Sequence, residues 1–234
     1  MSGNDNPASA MTKRITVLLS GQGTNLAALL ASMRMGALGG TITQVIANVP
    51  DAPGLNVARG EGVDAVALDH RAFATRNAFD AALLQAVDAG QPDLVVLAGF
   101  MRVLGAPFVR HYAERLINVH PSLLPLYPGL HTHRRALADG VRIHGCTIHF
   151  VTPEVDIGPI ISQAAVPVHD DDDEASLTAR VLAQEHLLLP AAVRWFCEGR
   201  LVIAGRRVRV TGMPQSTGAD VLRVPMISTT AEKL

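Results

Sequence analysis

Cysteine is scarce in this 234-residue chain: Cys146 and Cys197 are the only two, far apart and without a CxxC spacing. That excludes a disulfide framework and points to reduced intracellular thiols. Net charge is nearly absent too, a formal −1, which removes any general electrostatic attraction to nucleic acid or to an anionic membrane. Charges and glycines interrupt every apolar run before it reaches membrane-spanning length, and no signal peptide is expected. There is no internal repeat, no low-complexity segment and no linker that would divide the chain into separate domains. A soluble cytoplasmic globular protein is expected.

What is present is apolar: 48% of residues are hydrophobic, enough for a sizeable core. The opening "MSGNDNPASAMTK", residues 1–13, is polar and reads as a disordered leader. "RITVLLSGQGTNLAALLASM" passes from a β-branched strand through a glycine turn into a helix. "TITQVIANV" and "VDAVALD" are strands with the short helix "GLNVARGEG" between them. "RNAFDAALLQAVDAG" has helical spacing and stops at Gly90. "PDLVVLAGF" is the continuous apolar run of a parallel strand buried on both faces, "PFVRHYAERL" a helix and "INVH" another strand. This alternation predicts an α/β fold, a doubly wound, mostly parallel open sheet of Rossmann-like type. Later, "HGCTIHFVT" and "PIISQAAVPV" read as two longer strands, "DEASLTARVLAQEHLLLPAAVRWFCEGR" as one long helix with a bend at Pro190, and "RLVIAGRRVRV" as a hairpin, so antiparallel strands belong to the C-terminal half. A single catalytic domain over 14–210 and a tail over 211–234 are expected.

Three loops have chemical potential. In "SGQGTN", Ser20 to Asn25, glycines between strand and helix let backbone N–H groups approach an anion at the helix's positive end. It is neither a P-loop nor a full GxGxxG fingerprint, since Leu26 replaces the last glycine; a phosphate monoester suits it better than a dinucleotide. A tight turn with a helix cap explains the same residues without any ligand. In "LINVHPSLLP", Asn118 and His120 are two apart on a strand and share one face. At the carboxyl end of a parallel strand they reach the crevice where such sheets bind ligands, and an amide with an imidazole there donates to a developing oxyanion. In "TPEVDIGPI", Asp156 is either an ordinary turn carboxylate or, if the loop folds over, the group that orients His120 and raises its pKa. "HTH" at 131–133 with His144 and His149 lacks metal-ligand spacing, so no metal is expected. The acidic run at 170–174 serves the start of the long helix rather than calcium.

Taken together, "VLLSGQGTNLAALL", "PDLVVLAGFMRVL", "NVHPSLLPLYPGLHTHRRAL", "HGCTIHFVTPEVDIGPII" and "LTARVLAQEH" resemble, in that order, the phosphoribosylglycinamide formyltransferase family of the formyltransferase superfamily. The likeness runs from about Ile15 to Arg200. It implies formyl transfer from 10-formyltetrahydrofolate, as a cosubstrate, to the amine of phosphoribosylglycinamide in purine synthesis, with no metal. It implies that Asn118, His120 and Asp156 are catalytic. Gly23, Thr24, Asn25 and Glu185 match the positions that hold the ribonucleotide. Arg76, Met101, Arg102, Val103, Leu104, Asn118 and Val151 match those of the folate pocket. The partners implied are small molecules, phosphoribosylglycinamide and a reduced folate, with no nucleic acid and no membrane, in a monomer or homodimer.

Leu126 and Leu182 stand where such enzymes often carry polar or basic residues, and "ANVPDAPGL" lacks a lysine. Arg59, Arg134 and Arg142 are the replacements considered for the phosphate. A hydrolase of 10-formyltetrahydrofolate would use the same trio but adds a regulatory domain, for which residues 1–13 are too few. A non-catalytic phosphate- or nucleotide-binding module would need only the first loop.

Overall fold

A computed structural model describes residues 12–213. Residues 1–11 of the expected leader and 214–234 of the expected tail lie outside the described residues.

The chain builds one nine-stranded sheet. Its strands are β1 (Lys13–Leu19), β2 (Gly40–Ala47), β3 (Asp64–Ala67), β4 (Leu94–Leu97), β5 (Leu116–His120), β6 (Ile143–Phe150), β7 (Ile160–Pro167), β8 (Leu201–Ala204) and β9 (Arg207–Val210). In space the order is β3-β2-β1-β4-β5-β6-β7-β9-β8. The first five strands are mutually parallel, while β6 and β7 each run antiparallel to their predecessor. The chain moves outward from β1 to β3, then crosses back to place β4 on the other side of β1. That reversal opens a crevice at the carboxyl ends of β1 and β4, the place where open α/β sheets take their ligands.

Side-chain alternation decides which helices cover which face. Val17 and Leu19 of β1 pack with Leu26 and Leu29 of α1 (Thr24–Arg34), Leu55 of α2 (Pro53–Gly60) and Leu189 of α6 (Glu174–Cys197). Leu18 and Ile46 point the other way, onto Phe79 and Leu83 of α3 (Arg76–Ala89) and Phe108 of α4 (Ala106–His111). Residues of β4 are buried on both faces, as its unbroken apolar run requires. The doubly wound, mostly parallel sheet with antiparallel strands towards the C-terminus is therefore as the sequence indicates.

Two local features differ in detail. "THRRALA" forms a short helix, α5 (Thr132–Ala138), that its polar composition does not announce. Pro190 lies inside α6, whose helical run continues through it to Cys197. The acidic run ahead of α6 is structural. Asp173 accepts from the Ser176 N–H at 2.8 Å while Ser176 Oγ accepts from the Asp173 N–H at 3.0 Å, a reciprocal cap. Asp172 receives two Arg180 hydrogen bonds, at 2.6 and 2.8 Å, which hold its carboxyl far below the usual range. No helix among the described residues is long and apolar enough to cross a membrane.

Candidate active site

A cavity of about 650 Å³ opens at the carboxyl ends of β4 and β5. Its walls come from the loop after β4, the β5 end, the α5 start, the β6–β7 loop and one face of α6.

Asn118 and His120 both reach it, as two alternate residues on one strand face must. Across the antiparallel β5–β6 pair, Asn118 lies opposite His149. His149 Nδ1 is 2.9 Å from the Phe150 carbonyl, an acceptor only, so Nδ1 carries the proton. His149 Nε2 then presents a lone pair, and Asn118 Nδ2 donates to it at 3.2 Å. Burial pushes the His149 pKa down, which keeps the ring neutral and fixes which end of the Asn118 amide is the donor.

His120 is 6% exposed. Its Nε2 donates to the Tyr127 carbonyl at 2.9 Å, an oxygen that Ser122 Oγ also approaches at 3.2 Å. Nδ1 is therefore the nitrogen left to face the cavity side, and Asp156 Oδ2 stands 3.6 Å from it. Asp156 has a left-handed backbone (φ 56°). Its Oδ2 also accepts from the Gly129 N–H at 2.8 Å, and its Oδ1 is 3.8 Å from His149 Nε2. The β6–β7 loop can fold back this closely because residue 158 is glycine: a Cβ there would fall 1.7 Å from the Phe150 carbonyl oxygen.

Asn25 and Glu185, 160 positions apart, meet at the far wall, where Asn25 Nδ2 donates to Glu185 Oε2 at 2.7 Å. Both line the cavity. Burial pushes the Glu185 pKa up, and the Asn25 hydrogen bond partly opposes the shift. Asn25 Oδ1 is buried with no protein partner, an acceptor left for a bound molecule. Gly23 precedes α1 with φ 77°, and its Cα hydrogens face Gly54, whose Cα a Cβ on residue 23 would approach to 2.7 Å. Gly23 and Thr24 flank the cavity without lining it.

On the other wall, Met101, Arg102, Val103, Leu104 and Val151 all line the cavity. Met101 and Val103 are exposed while Leu104 is buried. The Arg102 guanidinium lies 5.0 Å over the Phe79 ring. Arg76 does not line the cavity; it donates to the Val103 carbonyl from behind the loop. None of Arg59, Arg134 and Arg142 lines it either, and the last two are paired with Glu174 and Asp170. Leu182 does line it.

The histidines divide by environment. His133 lines the cavity, and its ring meets His144 edge-on at 5.2 Å. Burial depresses both, His144 to about 4. Among the described residues no group of three or more His, Cys, Asp or Glu is arranged to hold a metal. Burial likewise pushes Cys146 up to about 12 and Cys197 to about 11, so neither thiol is an activated nucleophile. Reasoning from residue spacing missed His149 as a partner of Asn118, because the pairing exists only through the β5–β6 register.

The chain is similar to known proteins over most of its length. A family model described as formyl transferase matches residues 13–193. Phosphoribosylglycinamide formyltransferase of Escherichia coli is 48% identical over 209 residues, covering 88% of this chain and 99% of that protein. The trifunctional purine biosynthetic protein adenosine-3 of Drosophila melanogaster is 47% identical over 82% of this chain, which spans 14% of that longer protein. The crystal structure of glycinamide ribonucleotide transformylase 1 from Symbiobacterium toebii aligns with TM-score 0.85 at 50% identity, over 90% of this chain and 99% of that one.

Proposed function

The chain belongs to the formyl transferase family, and from that membership we propose that it is a phosphoribosylglycinamide formyltransferase of purine biosynthesis. In this reading it moves the formyl group of 10-formyltetrahydrofolate onto the amine of 5-phosphoribosylglycinamide, leaving tetrahydrofolate. The observation that carries it is the convergence of Asn118, His120 and Asp156 on one cavity, with the His120 Nδ1 to Asp156 Oδ2 separation at 3.6 Å.

The ribonucleotide takes the wall made by Asn25 and Glu185, with its phosphate at the N-terminal end of α1, where Gly23 and Thr24 offer backbone amides. The buried Glu185 carboxylate and the Asn25 Oδ1 acceptor suit donor groups on the ribose and amine side. The folate takes the opposite wall, Met101 to Leu104 and Val151, where backbone groups read its ring. Arg76 supports that wall through the Val103 carbonyl.

The neutral amine attacks the formyl carbon, and the carbonyl oxygen becomes an oxyanion. Asn118 Nδ2 has a second hydrogen free of His149, and His120 in its imidazolium form adds an Nδ1–H. One such donor contributes about 3 kcal/mol to the transition state. Asp156, held by the Gly129 amide, orients the His120 ring and assists proton passage from the attacking amine to the departing folate nitrogen, directly or through water. The C–N bond to folate breaks, the new amide forms, and one proton has moved between the two nitrogens.

The test is an absorbance assay of purified protein with both substrates. Tetrahydrofolate forms only when the ribonucleotide is present. Absence of folate product refutes the proposal, and equal production without the ribonucleotide makes the protein a hydrolase.

A further inference from the structure

A polar string crosses the carboxyl ends of four neighbouring strands, β3, β2, β1 and β4, just behind the cavity. After β3, His70 Nδ1 donates to the Asn48 carbonyl at 2.8 Å, and the His70 N–H does so at 3.3 Å. Asn48, which follows β2 and is 2% exposed, accepts from Ser20 Oγ through its Oδ1 at 2.5 Å. Ser20, directly after β1, grips the β4 loop twice: its N–H donates to the Gly99 carbonyl at 3.0 Å, and its Oγ accepts from the Met101 N–H at 2.7 Å. One serine thus spans Phe100 from both sides and satisfies a backbone donor at the start of the segment Met101 to Leu104.

Leu104 buries its side chain and Arg102 lies over Phe79, but the rest of the segment is open. Met101 is 69% exposed and Val103 52%, while Gly99 turns through a left-handed φ of 76°. Its far end is tied by Arg76 at the Val103 carbonyl and by Asp80 Oδ2, which accepts from the Gly105 N–H at 2.9 Å. At the near end the polar tie is Ser20. The same residue opens the turn to α1, and that turn is itself pinned where the Gly54 N–H donates to the Gly21 carbonyl at 3.0 Å. A group that does not itself line the cavity therefore joins its two walls.

We propose that Ser20, oriented by Asn48, is a positioning residue that holds the β4 loop in its folate-reading conformation, so that folate affinity is set from the ribonucleotide side of the cavity. This rests on the function proposed above. Removing the hydroxyl strips the Met101 N–H of its acceptor and leaves Asn48 Oδ1 without its donor, in a loop whose backbone geometry is the recognition element.

The experiment measures tetrahydrofolate binding by equilibrium dialysis, with steady-state KM values for both substrates and the thermal midpoint alongside. Ser20→Ala is expected to bind tetrahydrofolate about 10-fold more weakly and to raise KM for the formyl folate equally, while KM for the ribonucleotide stays within about 2-fold. Ser20→Thr, which keeps the hydroxyl, should recover most of the loss. Should Ser20→Ala fail to fold, Asn48→Ala supplies the reading, with weaker binding of the folate alone. Wild-type affinity in whichever of these variants folds overturns the assignment. So does an equal loss for both ligands accompanied by a lower thermal midpoint, the mark of a merely structural role. If tetrahydrofolate does not bind the wild-type protein, the function proposed above fails first and this assignment falls with it.

Discussion

Asn118 donates its amide hydrogen to His149 Nε2 at 3.2 Å across the β5–β6 pair, and the lone pair it uses is fixed by the bond from His149 Nδ1 to the Phe150 carbonyl. A relay of two hydrogen bonds therefore decides which way the Asn118 amide faces. His149→Phe removes the acceptor and frees the amide to flip. A loss in kcat of about 10- to 100-fold is expected, because an oxyanion donor misplaced by about 1 Å loses much of its effect. His149→Gln, which can present an oxygen to the amide, should recover some of it. Steady-state kinetics on the three proteins check this; an unchanged kcat in His149→Phe shows that the relay is not needed.

His120 and Asp156 form the second relationship, 3.6 Å apart and both largely buried. His120→Ala and Asp156→Asn are each expected to lower kcat by about 10²-fold or more. Asn at 156 can still accept the Gly129 N–H, so the loop keeps its anchor and the loss reports the charge. Single-turnover rates at saturating substrates separate this from a binding defect, and a near wild-type rate in either variant removes that residue from the chemistry.

The first half of the fold was legible because its strands are short apolar or β-branched runs alternating with helices that carry apolar residues at helical spacing. Leu94 to Leu97 are all apolar and too few for a helix, so the run suits a strand covered on both faces. Asn118 and His120 could be placed on one face from the two-residue period alone. Their partners could not. His149 meets Asn118 through strand register, Asp156 reaches His120 through a loop that depends on Gly158, and Asn25 meets Glu185 across 160 positions. Helix α5 was hidden by its composition, since "THRRALA" has no apolar stripe long enough to read.

Glu185 is a buried carboxylate whose pKa burial raises, so ionising it costs stability that neutral glutamine would not. Glu185→Gln keeps an oxygen for the Asn25 Nδ2 donor and removes the charge. The variant should be more stable at pH 7, by a few degrees in thermal midpoint, and should bind the ribonucleotide about 10-fold more weakly through loss of a charge-assisted hydrogen bond. The sign of the stability change is checked by thermal melts and the binding loss by KM. A lower midpoint would mean that the Asn25 contact needs the ionised form.

Stability against pH should carry the imprint of the buried imidazoles. Burial depresses His144 to about 4 and also lowers His133 and His149. A histidine whose folded pKa lies below that of the unfolded chain, about 6.5, binds its proton more readily when unfolded. Its contribution is therefore complete above about pH 6.5 and is lost as pH falls towards 4. Asp172 acts in the same direction but at lower pH, because Arg180 holds its carboxyl far down. The urea midpoint should fall between pH 6.5 and 4, with protonation of the buried Glu185 offsetting part of the loss. In His144→Leu, where nothing at that position titrates, the slope over this window should be shallower, with His133, His149 and His186 supplying what remains. An unchanged slope would place the proton uptake elsewhere than on His144.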